Sequence, residues 1–381
     1  MPTAKNAKTM AKKKRKILTH TMTIISVVAV VLLWLSAASA FISPEKVPVM
    51  SLIELAFPFF LIFCILTLAA TLLMAPRRCW ICLVGLLLAS SSIRNYFPLN
   101  FPSSPPDDAL RIMSYNVYGW GNFPERVMED ENGKRHNILA QYVGKVNPDI
   151  AFLQEAISDD KFIEEHLFSE LKEKMYMDSV DMAFKDAPGC FNKAMLLSKF
   201  PIVKKHLIVR LHANGAAAFW LVPSPGDTII AINCHLVSMG LNKDDRNSFS
   251  EMVKDSEHQI DKKTTKTLLS KIMLAGKYRA AMVDSIAAFI EKHKDKDIIL
   301  GGDFNDTPVS YSHGQLTKHL SDAYRQSGNG LGRTFNKNAM IVRIDHVLCS
   351  DGFKAYGFEV DSSVGISDHN PVLGWIKRFE N

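Results

Sequence analysis

Cysteine is scarce and scattered in this 381-residue chain, with three of the six (Cys64, Cys79, Cys82) in apolar segments and three (Cys190, Cys234, Cys349) elsewhere. No Cys-x-x-Cys pair and no Cys/His group at zinc-ligand spacing occurs, so a zinc module is excluded, and an odd set of three is no disulfide framework. These cysteines are expected to be small core residues. Acidic side chains are nearly missing from residues 1–106, where Glu45 and Glu54 stand against eleven lysines and arginines. The net charge of +6 therefore belongs to that part, and the remainder is mildly acidic. Such a remainder lacks the electrostatic footprint of a strong binder of long nucleic acid. Internal repeats and low-complexity tracts are also absent, which excludes a repeat array.

What is present early in the chain is long apolar sequence. Residues 24–42 (IISVVAVVLLWLSAASAFI) carry no charge, residues 52–74 carry only Glu54, and residues 79–97 have a shorter apolar core closed by Arg94, Tyr96 and Phe97. About 20 apolar residues cross a hydrocarbon core, so three transmembrane helices are expected over 24–99, with the lipid bilayer as their partner. The basic tail 1–23, with Lys12–Lys16 (KKKRK), and the pair Arg77–Arg78 should both remain in the cytoplasm. Three crossings then place everything beyond on the extracytoplasmic side of an inner membrane. A cleaved signal peptide ending at Ala38-Ser39-Ala40 is the alternative for the first segment, and it leaves the same side. Residues 100–108 (NFPSSPPDD) form a stiff Pro-rich linker expected to hold the domain 109–381 a short way off the bilayer.

That domain is long enough to bury a core. Strands are expected at Leu110–Val117, Asp149–Gln154, Lys193–Leu197, Phe219–Val222, Thr228–Leu236, Asp297–Leu300, Arg343–Cys349 and Pro371–Ile376. Helices are expected at Asn137–Val146, Lys161–Met175 and Thr264–Lys294, the last either one long helix or two broken near Gly276. Residues 238–263 are polar without a clean period and read as an insertion.

Ionisable and amide side chains recur where apolar strands end: Asn116, Glu155, His235, Asp303, Asn305, Asp345, Asp368 and His369. Strand ends at one edge of a sheet aim side chains into a shared crevice. Each has a bland alternative. Asp303 and Asn305, after Gly301-Gly302, either share one side and hold a water or form a plain turn. Glu155 is a solvated strand end or a hard-cation ligand, and Asn116 a ligand or an Asx turn. His235 is a core histidine or a phosphate contact. Asp345 needs a partner, and either Arg343 or His369 can supply one. Asp368 and His369 reach a common site only from a loop.

In order, the elements N…QE…LSKFPI…HL…GGDFN…RIDHV…SDHNPV over residues 110–377 resemble the endonuclease/exonuclease/phosphatase family, which includes enzymes of the deoxyribonuclease I type, apurinic endonucleases, bacterial sphingomyelinases and inositol-polyphosphate phosphatases. The resemblance implies a four-layer α/β sandwich with the site at one rim of two packed sheets. It implies that Glu155, with Asn116 and Asp368, binds Mg²⁺ or Mn²⁺. Asp303 would position or deprotonate the attacking water, and Asn305 would hold the water or the phosphate. His235 and His369 would contact phosphoryl oxygens, with Asp345 orienting His369. The expected activity is metal-dependent hydrolysis of a phosphoester, lipid-linked or small. A surface nuclease is the first alternative, and a catalytically inactive membrane-bound binding module the second. No protein partner is expected.

Overall fold

The computed structural model describes residues 4–119, 127–129, 131, 133, 135–156, 171, 175–182, 192–240, 262–337, 342–365 and 367–379. The helix expected over 161–175 and most of the 238–263 insertion lie outside these residues.

The chain opens with the helices α1 (Ala4–Ala37), α2 (Phe57–Met74, preceded by the single turn Met50–Ile53), α3 (Trp80–Leu88) and α4 (Ser90–Tyr96). Two helical stretches, Lys12–Phe41 and Met50–Met74, are long and apolar enough to cross a membrane. The third expected span is instead a broken pair, α3 and α4 with the 3-10 turn before them, bent by 58°. Their few polar groups find partners inside the bundle, as apolar surroundings require. Ser26 Oγ lies 3.2 Å from Thr71 Oγ1, and the Trp34 indole N–H donates to Gly85 O at 2.9 Å.

The rest is built on two six-stranded sheets. In chain order the strands are β1 (Leu110–Asn116), β2 (Val127–Glu129), β3 (Arg135–Asn137), β4 (Ile150–Gln154), β5 (Tyr176–Asp181), β6 (Lys193–Ser198), β7 (Ile202–Leu211), β8 (Asn214–Leu221), β9 (Ile229–His235), β10 (Asp297–Asp303), β11 (Ser321–Asp322), β12 (Asp345–Cys349), β13 (Phe353–Val360) and β14 (Val372–Arg378). The first sheet runs β13-β14-β1-β4-β6-β5 and the second β11-β12-β10-β9-β8-β7, with β2 and β3 as a separate hairpin. Two parallel neighbours, β1 with β4 and β9 with β10, need helical crossovers. These are α5 (Ile138–Val146), capped by the Asn137 side chain, and α6 (Lys262–Lys292).

Alternation along the strands makes the layers. On β4, Ile150 and Phe152 enter the core between the sheets, where they meet Phe219, Ala231, Ile299 and Val347. Ala151 and Leu153 face the other way, onto Leu139 and Val143 of α5. Beyond the second sheet, Ile230, Ile232 and Leu300 pack on Met282, Ile286 and Ile290 of α6. Helix, sheet, sheet and helix form the four-layer α/β sandwich. Gly301 and Gly302 serve this packing: a side chain at 301 would strike the Phe152 ring, and one at 302 the Cys234 carbonyl. They make room for the protein's own core, not for a ligand.

The helices at the start of the chain do not stand off from the sandwich. Ala38–Phe41 lies on the helix α7 (Tyr311–Leu316), Ser39 Oγ donates to Val309 O at 3.2 Å, and Val309 joins the apolar cluster of α1, α2 and α3. Glu54 is buried facing Asp306 and Arg279. Helix α6 is continuous through Gly276, because a side chain there would meet Ser51. Gly314 leaves space for Ala40 in the same way. The linker begins docked as well: the Asn100 backbone N–H donates to Asn329 Oδ1 at 2.6 Å and its amide to Gly328 O at 2.6 Å. The first helices and the sandwich thus share a packed seam.

Candidate active site

Strand register gathers the site. Across the second sheet, Asp303 is paired with His235 on one side and with Asp345 on the other. Across the first, Asn116 lies beside Gln154, one residue before Glu155. Both rows end at the same rim. The segment Ser367–His369 reaches it as a loop, tied to β1 by the Ser367 hydroxyl, which donates to Asn116 O at 2.8 Å.

All eight residues singled out from sequence meet here. Glu155, His235, Asp303, Asn305, Asp368 and His369 line a cleft of about 250 Å³. Asn116 and Asp345 are buried directly behind it. Asp303 is the centre. Its Oδ2 accepts from Asn116 Nδ2 at 3.0 Å and Asn305 Nδ2 at 3.2 Å, and lies 3.6 Å from His235 Nε2 and 3.7 Å from His369 Nε2. Asn116 Nδ2 also donates to Glu155 Oε1 at 3.0 Å. The Asn116 amide nitrogen thus bridges the two carboxylates, and its Oδ1 accepts the Tyr118 N–H at 3.1 Å. The chain does not stay extended after Asp303. Asn305 has φ 50°, and its N–H closes an Asx turn on Asp303 Oδ1 at 2.7 Å. Turn and site are one object. Tyr118, Glu155 and Asn305, three of the five non-glycine residues with positive φ among those described, stand at this rim. Left-handed backbone at non-glycine residues is costly and collects at functional sites.

The partner of Asp345 is His369, not Arg343. Arg343 turns away, stacks on Tyr324 and donates to Asn95 O at 2.6 Å. Burial and the nearby Asp345 carboxylate push Asp303 up to about 6, against the pull of His369, His235 and Asn116. Burial alone would lower His369, but the Asp345 and Asp303 carboxylates outweigh it and raise it to about 10. Asp368 is also raised, first by burial and further by the Glu155 charge. Its Oδ1 is buried without a hydrogen-bond partner. Two facing carboxylates, one with an orphaned oxygen, fit a hard divalent cation that completes its shell with water and phosphate oxygens.

Three supporting residues escaped the sequence reading. Asn192 Nδ2 lies 2.7 Å from His235 Nδ1 and fixes that ring. Gln154 Nε2 donates to Asn233 Oδ1 at 2.7 Å, and the Asn233 amide donates to Leu153 O and Met195 O, joining the sheets beneath the site. Nothing but a lone amide in an apolar strand could have marked Asn233.

A family model described as Endonuclease/Exonuclease/phosphatase family matches residues 113–369. A second, described as a domain of unknown function, matches residues 15–96. No curated protein matches. Among solved structures, an endonuclease/exonuclease/phosphatase from Bacteroides vulgatus is 16% identical with a TM-score of 0.48, covering 72% of this chain and 100% of its own. The human Nocturnin catalytic domain with bound sulfate is 13% identical with a TM-score of 0.49, over 71% and 95% of the two chains. A mannosyl-6-phosphatase from Bacteroides thetaiotaomicron is 19% identical with a TM-score of 0.45, over 70% and 99%.

Proposed function

The chain belongs to the endonuclease/exonuclease/phosphatase family, and from that premise we propose that it hydrolyses phosphoesters carried by lipids, at a cleft held beside the membrane. The carrying observation is the convergence of eight polar residues from separate strands on one rim, with Asp303 between two histidines.

In this reading Glu155 and Asp368 hold Mg²⁺ or Mn²⁺, which when bound supplies a Lewis acid for a phosphoryl oxygen. Asp303, ionised at neutral pH yet basic for a carboxylate, takes the proton of the attacking water. Asn116 and Asn305 keep its Oδ2 aimed into the cleft. His369 stays cationic beside Asp345 and, with His235, donates to the non-bridging oxygens as charge develops. In-line displacement at phosphorus needs little else.

Lipid-borne substrates are supported by position. Asn305 stands four residues before Val309, which packs on α1–α3, so at most about 14 Å of backbone separates cleft from seam. Tyr118, Phe335, Val342 and Ile344 add an apolar wall. The basic flanks Lys12–Lys16 and Arg77–Arg78 favour an extracytoplasmic cleft. A tag placed after Asn381 should then be cut by protease once the outer barrier is opened, while a cytoplasmic control survives. The substrate is tested with the full chain in detergent and Mg²⁺ against sphingomyelin, glycerophospholipids, polyprenyl phosphates, inositol phosphates, RNA and plasmid DNA. Preference for lipid phosphoesters is expected, and faster cleavage of nucleic acid would replace this reading with a surface nuclease.

A further inference from the structure

A cavity of about 600 Å³ lies apart from the catalytic cleft. It opens along the seam, between Trp34 and Ala37 of α1, Ser91, Ser92 and Asn95 of α4, and Lys318 and Arg325 of the sandwich. Its lower edge is apolar and faces outward: Phe41 and Leu88 are 73% and 66% exposed. Its upper wall is cationic. Arg325 has a buried Nε without a hydrogen-bond partner, and its Nη2 reaches only Ser91 Oγ, at 3.5 Å. Lys318 lines the same cavity, is exposed, and its Nζ donates to the neutral Gln315 Oε1.

Asp322, the one acid in this wall among the described residues, is already engaged. Its Oδ2 lies 2.8 Å from His313 Nε2 and 3.8 Å from Arg343, and its Oδ1 accepts the Arg325 backbone N–H at 3.0 Å. The two cations are therefore not neutralised by it. With Asp322 so engaged, the cavity has no free carboxylate among the described residues for a quaternary ammonium, and Trp34 and Phe41, its two aromatic linings, make no cage.

An oriented guanidinium, a lysine and three small polar side chains above exposed leucine and phenylalanine match one kind of molecule. We propose that this cavity binds an anionic glycerophospholipid of the surrounding bilayer, its phosphate on Arg325 and Lys318 and its acyl chains along Leu88 and Phe41. Arg recognises a phosphate by a planar fork of donors, and loses that ability when replaced by glutamine. The bound lipid would fasten α4 to the Arg325 helix from outside. The inference rests on the membrane-spanning reading of the first helices and is independent of the chemistry in the cleft.

Native mass spectrometry of the full chain in dodecyl maltoside, titrated with dioleoyl phosphatidylglycerol or dioleoyl phosphatidylcholine, tests it. One phosphatidylglycerol should be retained about tenfold more tightly than phosphatidylcholine, the factor one or two charge-assisted contacts give. The Arg325→Gln/Lys318→Gln double variant should lose that preference, while Lys354→Gln, a cation on β13, should keep it. Glycerol 1-phosphate alone should give no adduct, and an adduct would reassign the cavity to a soluble anion. Equal retention of the two lipids, or full retention by a double variant with unchanged circular dichroism, would overturn the proposal. Carbonate extraction of membranes carrying the chain is scored separately. Release into the supernatant would reject the membrane reading itself, whatever the lipid result.

Discussion

Asp345 accepts a 2.8 Å hydrogen bond from Nδ1 of His369, and by doing so fixes which imidazole nitrogen faces Asp303. An orienting residue acts through its partner, and this ordering is measurable. His369→Ala removes the charge-stabilising donor, and Asp303→Asn removes the base while keeping its shape. Each is expected to lower turnover on the order of 10²-fold or more, and Asp345→Asn by less. If Asp345→Asn proved the most damaging of the three with circular dichroism unchanged, the roles of that pair would have to be exchanged.

Metal removal should silence the enzyme. Glu155 and Asp368 face one another, with one Asp368 oxygen unpartnered and buried. Chelation by EDTA is expected to abolish turnover and Mg²⁺ to restore it. Glu155→Gln should raise the Mg²⁺ concentration needed for half activity by about tenfold or more, as loss of a charged ligand does. Undiminished turnover in EDTA would remove the two-carboxylate cation site from the account.

The seam makes a separate mechanical prediction. Gly276→Leu would drive a side chain into Ser51, an overpacking that costs about 1–3 kcal/mol. Hydrogen exchange over residues 38–53 should rise in that variant, with β9 and β10 as protected as before. Unchanged exchange in 38–53 would mean that the contact does not hold the helices to the sandwich.

Acid should loosen the fold in two stages. Burial drives His346 well below its ordinary value, helped by His313 and Arg343. The unfolded chain then binds a proton that the folded one refuses, so stability falls as pH drops below about 6.5. Asp322 has the opposite balance of causes: burial would raise it, but the His313 hydrogen bond and the Arg343 and His313 charges hold it well below the carboxylate range. Its contribution is complete above about pH 4 and is lost as pH falls through the depressed folded value. Denaturant unfolding from pH 8 to 3 should show both limbs. His346→Gln should remove the upper one, and Asp322→Asn should cost on the order of 3 kcal/mol at pH 7, with the gap closing in acid. Protonation of Asp303 adds stability over the same range, so the His346 contribution is read as a difference. Identical profiles for the wild type and His346→Gln between pH 7 and 5 would contradict the buried neutral His346.

Central strands and the eight site residues were legible in the sequence, and the edges of the sheets were not. β4, β9 and β10 are buried on both faces and read as plain apolar runs. Of the strands that escaped, β5, β7, β11 and β13 close the ends of the two sheets, and β2 and β3 form the separate hairpin. β7 carries Lys204, Lys205 and Arg210 on a strand half open to solvent, the charge that keeps an edge from pairing with another chain. Gly276 left one helix or two open for a related reason. A glycine inside a helical pattern marks either a break or a close neighbour, and the neighbour, Ser51, is 225 positions away in the sequence. The Asp345 partner could not be chosen from spacing, since Arg343 and His369 both qualified and only packing of Arg343 on Tyr324 decides.

The place of β1 in its sheet sets a timetable for making the molecule. It is the first strand of the sandwich to be synthesised, and it lies between β4 and β14, with Leu110 opposite Ile376. One flank of β1 therefore waits for β14, which is made only after every other strand of both sheets. Pairings this far apart in sequence are slow to close and leave apolar edges open meanwhile. The sandwich must then finish folding with the β14 side of β1 unpaired until that strand arrives. A chain stopped after Asn370 keeps every polar residue of the cleft but lacks the strand that closes its first sheet. It is expected to be cleared by proteases in the cell, and its accumulation in soluble, cooperatively unfolding form would show that β14 is dispensable.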